Sequence, residues 1–177
     1  MDYKDLHEQN TSFEHFGAYQ IRSVNIGTTN AQAVSGIRGT YGVLQAFGVQ
    51  PAQGRLFNPE DDRKGAAPVV IISDNPIRLN GAEVTVVGIM PQDYEFVGPW
   101  LRTTTVQVWL PYEMEDQDDR GSHWLNGVAR LKNGITVGMA DAEIKSIGKQ
   151  LTELYPDSNS NKKMLVRSLH YEMTKDL

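Results

Sequence analysis

The reading of the fold starts from "HWLNGVARLKNGITVGMADAEIKSIGKQLTELYP", residues 123–156. Its first nine residues read as a strand and "KNG" (132–134) as the turn that closes it. Thr136 then stands where a helix needs an N-cap oxygen. Val137, Ala140, Ile144, Ile147, Leu151 and Leu154 recur at steps of three and four, which lays one apolar stripe along a helix. Pro156 stops it. "KMLVRSL", 163–169, reads as a closing strand. The C-terminal third is thus expected to be a β-α-β unit.

Working outward, residues 2–10 read as a short helix with Tyr3, Leu6 and His7 on one face. A strand is expected near 16–26, a second over "AQAVSGIRGT" (31–40), and a brief helix over "YGVLQAFG" (41–48), which Gly48 stops. The middle is richer in strands. "APVVIIS" (67–73) is a compact apolar run suited to a buried strand. Asn80-Gly81 within "IRLNGAEVTVVGIMP" is a strong hairpin signal, because both residues tolerate the positive φ of a tight turn. "VQVWLPY" (106–112) is a further strand and "MEDQDDRGS" (114–122) an acidic, solvated loop. The expected class is α+β in two lobes. Residues 1–48 and 116–177, from the two ends of the chain, form one α+β lobe, and residues 49–115 form a smaller β-rich lobe inserted into it.

Composition narrows the function. Forty per cent of the 177 residues are hydrophobic and 22% charged, ordinary for a globular chain. The net charge of -5, with no run of basic residues, argues against nucleic acid or an anionic membrane surface as partner. There is no cysteine, so thiol chemistry, disulfides and cysteine-ligated zinc are excluded. No stretch reaches the roughly 18–20 apolar residues that span a bilayer. "MDYKDLHEQN" is polar from its second residue and does not read as a signal peptide. The chain is expected to be either cytosolic or a soluble piece of something larger.

The densest acidic cluster lies in "FGVQPAQGRLFNPEDDRKG", residues 47–65. Counted from Asn58, a calcium loop would need glycine sixth and glutamate twelfth, where Arg63 and Val69 stand. An irregular metal site on Asp61 and Asp62 is one reading. The other is a turn whose acids favour the start of a helical turn, with Gly54 bending the chain ahead of Arg55 and Phe57. Glu60–Asp62 and the acids of 113–119 are both expected to be exposed. His7, His15, His123 and His170 form no i, i+2 or i, i+4 pair. His123 beside Trp124 either flanks a groove or merely enters a strand. Gly36, Gly39 and Gly42 have the wrong spacing for a dinucleotide fingerprint, and no P-loop or nucleophile elbow occurs. No catalytic, cofactor-binding or metal-binding residue is assigned. In "YEFVGPWLRTTT" (94–105), Phe96, Trp100 and Leu101 are candidates for a partner contact, with a small core plug as the alternative.

Several of these stretches, in this order, resemble the periplasmic core domain of MacB-like ABC transporter permeases (the FtsX/MacB type). They are "EQNTSFEHFGAY", "FGVQPAQGRLFNPEDD", "VVIIS", "IRLNGAEVTVVGIMP", "VWLPY", "RGSHWLNGVARLKNGITVGMADAEI" and "LYPDSN". Within the family the set is similar to the branch of duplicated permeases. The resemblance implies a porter-like α+β lobe with an inserted smaller lobe, and a soluble domain lying between a first transmembrane helix and a later group of three. It implies a location on the periplasmic side of a bacterial inner membrane. It also implies no catalysis and no cofactor, with ATP hydrolysed on a separate subunit or domain. Partners would be the membrane through the flanking helices, the ABC ATPase and, in some relatives, an adaptor and outer-membrane proteins. The acidic stretch becomes a structural signature. One departure stands out: after "VVIIS" the family carries a longer segment, whereas here Ser73 leads through "DNP" directly to Ile77. Against this stand a free-standing hydrolase using the acids of 60–62 with His123, and a periplasmic ligand-binding module.

Overall fold

The computed structural model describes residues 2–26, 32–73, 84–98, 105–113, 124–160 and 162–175. The elements are α1 (Asp2–Gln9), β1 (Phe13–Ile26), β2 (Gln32–Gly39), α2 (Gly42–Phe47), β3 (Gln53–Gly54), β4 (Val69–Ile72), β5 (Thr85–Ile89), β6 (Val108–Pro111), β7 (Asn126–Leu131), α3 (Val137–Leu154), α4 (Pro156–Asn159) and α5 (Leu169–Thr174). Helices and strands segregate along the chain, and the class is α+β. The seven strands form one mixed sheet in the order β3-β5-β4-β6-β2-β1-β7. β1 is antiparallel to both β2 and β7, β2 runs parallel to β6, and β4 lies antiparallel to β6 and parallel to β5.

Strand composition explains placement. Val69, Val70, Ile71 and Ile72 of β4 are all buried. Alternate residues point to opposite faces, and both faces are covered: Val69 and Ile71 join the cluster around Trp109, while Val70 and Ile72 join Val24 and Val108. An unbroken apolar run is what a strand buried on both faces requires. The third cluster gathers Ala140, Ile144, Ile147 and Leu151 of α3 against Phe13 of β1. Thr136 caps α3, its Oγ1 accepting from the Met139 N–H at 3.2 Å. Gly48 ends α2 in the left-handed conformation, φ +68°.

Residues 49–115 contribute β3 to β6, at one end of the sheet, and no helix among the described residues. The sheet is continuous across the expected lobe boundary, because β6 pairs with β2 through Gly36↔Val108 to Gly39↔Pro111. Tyr19, Ile37, Val43 and Leu44 from the first segment share one core with Phe57, Ile71, Met90 and Trp109 from the second.

Two expectations are corrected. Residues 163–169 do not form a strand: 162–168 have no regular structure and α5 begins at Leu169. The segment alternates in burial, with Met164 and Val166 against the α3 cluster and Leu165 exposed. It pairs with no strand among the described residues, however, and the Val166 N–H is taken by the Asp141 carboxylate at 2.9 Å. Val137 and Leu154, at the two ends of α3, are exposed, so the buried stripe is shorter than its periodicity suggests. Pro156 follows the helix and opens α4, where its missing N–H costs nothing. The Asn80-Gly81 hairpin and the acidic loop of 114–122 lie outside the described residues.

Candidate functional site

The acidic turn is closed on itself. Arg55 grips Asp61 with two parallel bonds, Nη1 to Oδ2 at 2.6 Å and Nη2 to Oδ1 at 2.9 Å, while the Asn58 N–H donates to Oδ2 at 2.8 Å. The Asn58 side-chain oxygen accepts from the N–H groups of Glu60 and Asp61. Asp61 is buried, against the expectation of an exposed acid; Glu60 is exposed and pairs with Arg63. The bonds from Arg55 hold the Asp61 carboxyl below its ordinary 3.8 despite burial. Both of its oxygens are spent on structure. Among the described residues no group of three or more His, Asp or Glu side chains is arranged to hold a metal. His123 lies outside the described residues; Trp124 beside it is 77% exposed.

Asp61→Asn is expected to cost about 1–2 kcal/mol, since it weakens a charge-assisted fork to a half-exposed arginine rather than breaking a fully buried pair. The folded carboxyl titrates below its unfolded value, so its contribution is present above pH 3.8 and lost as pH falls through the lower folded value. Urea midpoints of the two proteins should therefore differ at pH 7 and converge toward pH 3. A gap that stays constant between these pH values would show that the ion pair is not its source.

Asp62 has a different environment. Its Oδ2 accepts from the Tyr41 N–H at 2.7 Å, tying the turn to the start of α2. Its Oδ1 is buried, and no donor among the described residues reaches it. Burial pushes this carboxyl up to about 7, partly opposed by the Tyr41 bond and reinforced by the neighbouring charge of Asp61. Next to it α1 is moored on the body. Tyr3 Oη donates to the Phe16 carbonyl at 3.1 Å and shares a bond of 3.1 Å with Thr40 Oγ1, and Tyr41 Oη meets His7 Nε2 at 3.3 Å.

The second feature is α3, to which the N-terminal and C-terminal segments are both fastened. Glu143 accepts from the Thr11 N–H (2.8 Å), the Thr11 hydroxyl (2.6 Å) and the Ser12 N–H (3.0 Å). Burial raises its carboxyl, but the bonds from Thr11 and Ser12 outweigh that and leave it lowered. Two residues earlier, Asp141 accepts from the Val166 N–H and from Lys145 Nζ, the latter at 2.6 Å. Residues two apart project from opposite sides of a helix, so one acid holds each segment. Asn159, just beyond α3, donates to Asp2 at 3.1 Å. None of these ties was legible in the sequence, where no pattern singles out Asp141 or Glu143.

Of the aromatic residues read either as a partner contact or as a core plug, Phe96 lies in the core. It is 4% exposed and packs against Tyr19 and Phe47, with ring centroids 5.3 and 4.8 Å away, as a core plug. Tyr94 stacks toward Trp109 in the same core. Trp100 and Leu101 lie outside the described residues.

A family model, the MacB-like periplasmic core domain, matches residues 1–147. No curated protein matches the chain. Among solved structures, the fold is similar to the periplasmic region of MacB from Actinobacillus actinomycetemcomitans, with a TM-score of 0.59 and 16% identity, covering 89% of this chain and 74% of that one. It is similar also to the extracellular domain of the noncanonic ABC-type transporter YknZ from Gram-positive bacteria, with a TM-score of 0.55 and 15% identity, covering 94% and 87%. A domain of a putative permease from Porphyromonas gingivalis gives a TM-score of 0.53 at 10% identity, covering 94% and 80%. The match to the family model spans most of the sequence, and the chain belongs to the MacB-like periplasmic core domain family.

Proposed function

We propose that this chain is the non-catalytic periplasmic domain of an ABC transporter permease, passing motion driven by ATP hydrolysis elsewhere into the periplasm and contacting substrate or partner proteins there. The observation that carries the reading is the fastening of both terminal segments to α3, by Glu143 on one side and Asp141 on the other. If those segments continue into membrane helices, a displacement of either pulls on one stiff element packed on the sheet, and the domain moves as a body. No helix among the described residues is long and apolar enough to cross a membrane, so the anchoring helices would flank the domain. The ATPase would be a separate subunit or domain. The division into 1–48 with 116–177 and 49–115 belongs to this proposal. So does a contact through Trp100 and Leu101, with an adaptor or outer-membrane protein as its partner.

The test uses the full permease with its ATPase. Asp141→Asn combined with Glu143→Gln keeps the helix but weakens both ties. Transport is expected to fall several-fold while ATP hydrolysis continues. Transport and hydrolysis that both stay at the wild-type level would overturn the transmission role, and hydrolytic turnover by the domain alone would overturn the non-catalytic one.

A further inference from the structure

The cluster between α1, the start of α2 and the acidic turn holds a carboxylate whose hydrogen bonding is incomplete. Asp62 is only partly matched: one oxygen takes the Tyr41 N–H, and the other is sealed from solvent without a donor among the described residues. Buried acceptors are normally paired, and one left unpaired marks either stored strain or a second role. Asp61, its neighbour, already performs the structural task of closing the turn.

We propose that Asp62 acts as a proton-operated catch for α1: with a proton it lets α1 seal the cluster, and without one it drives α1 to open and admit water. Among the described residues, the titratable and charged groups tied to this cluster come from α1, the start of α2 and the acidic turn. From α1 come Tyr3, whose hydroxyl feels the Asp62 charge, and His7, which reaches the cluster through Tyr41. From the turn before α2 comes Tyr41, and from its own loop Asp61 with Arg55. No cation among these pairs with Asp62, since Arg55 is committed to Asp61.

The opening falls on α1 because that element is the least firmly held wall of the site. α2 buries Gly42, Val43, Leu44 and Ala46, whereas α1 buries no residue fully and is held by side-chain bonds from Tyr3, His7 and Asp2. Local opening follows the segment with the least buried apolar surface. A carboxylate in such a site recovers its hydration when that wall lifts. The folded value, about 7, lies above the ordinary 3.8, so the seal is complete below 3.8, weakens as pH rises from there to about 7, and is steady above it. The inference stands apart from the transport role. Under that role α1 would be the segment through which one membrane helix pulls, and the proton would set how firmly it grips.

Hydrogen exchange of the α1 amides, corrected for the intrinsic pH dependence of exchange, tests the catch on the whole chain. Between pH 6 and 8 their protection is expected to drop about ten-fold, the ratio that one group titrating near 7 produces. In Asp62→Asn, which keeps an acceptor for Tyr41 but cannot ionise, protection should be constant. Imidazole is the side chain that ordinarily changes charge near neutrality, so His7→Gln is the second variant, and it should keep the wild-type profile. Wild-type protection that is flat with pH, an Asp62→Asn protein that keeps the drop, or a His7→Gln protein that loses it would each overturn the proposal. If Asp62→Asn does not fold, the Asp62 carboxyl carbon followed by NMR decides. A titration midpoint within half a pH unit of the pH at which protection stops falling supports the catch, and a larger separation overturns it.

Discussion

Trp109→Ala is expected to lower stability by about 3–5 kcal/mol, the range for emptying a large aromatic site in a packed core. Trp109 is 1% exposed on β6, the strand between β2 and β4. Its register partners are Ile37 on one side and Ile71 on the other, and the Tyr94 ring lies 5.9 Å away. Ile37 comes from the first segment of the chain, Ile71 and Tyr94 from the middle one. The cavity would open where the two parts of the sequence share their core, with little freedom to collapse because strands are paired on both sides. Unfolding in urea, followed by far-UV circular dichroism, should remain one transition moved to lower denaturant. A first transition that melts part of the ellipticity and a second at the wild-type midpoint would show that residues 49–115 are a separate cooperative unit.

Gly54→Ala is expected to cost about 2–5 kcal/mol, the sum of about 1–2 for a side chain in left-handed backbone and about 1–3 for overpacking. Gly54 has φ +79°, and a Cβ there would run into the Val87 carbonyl oxygen, which is backbone and cannot swing away. That oxygen also accepts from the Arg55 N–H at 2.8 Å, and Gly54 pairs with Gly88 between β3 and β5. A shift large enough to fit the methyl would therefore disturb the edge of the sheet and move Arg55, the residue that holds Asp61. Gly65→Ala is the internal control. Its φ is +76°, but nothing lies within 4 Å of the added atom, so only the backbone strain of about 1–2 kcal/mol applies. Equal losses of stability in the two variants would mean that the close approach at Gly54 contributes nothing.

The elements that were legible in the sequence are those whose cause is local. Thr136 caps α3 because its own hydroxyl reaches the N–H three residues on, and Gly48 ends α2 because the left-handed turn suits a residue without a side chain. The run Val69 to Ile72 shows a strand buried on both faces in its composition alone. The two caps find their partners within a turn, and the apolar run shows its burial in its own composition, so the local sequence carries the information. Residues 163–169 illustrate the limit. Their alternation fits a strand, yet a strand exists only where another offers a ladder, and here Asp141 takes the backbone instead.

Family membership and the α+β class followed from the ordered motifs and periodicities of a single chain. The fates of individual acids and aromatics did not, because burial and pairing depend on residues distant in sequence. Asp61 and Asp62 are neighbours of identical chemistry. One is gripped by Arg55 and held ionised, while the other, half-buried against the start of α2 with one oxygen closed off, is pushed up to about 7. Glu143 and Asp141 became the ties of the two terminal segments only when chain folding brought Thr11 and Val166 to opposite sides of one helix. Phe96, in a Gly-Pro stretch that looks exposed, was drawn into the core by Tyr19 and Phe47. Periodicity shows which face of an element is apolar; only the tertiary structure decides what meets that face, and so which charges lose their water.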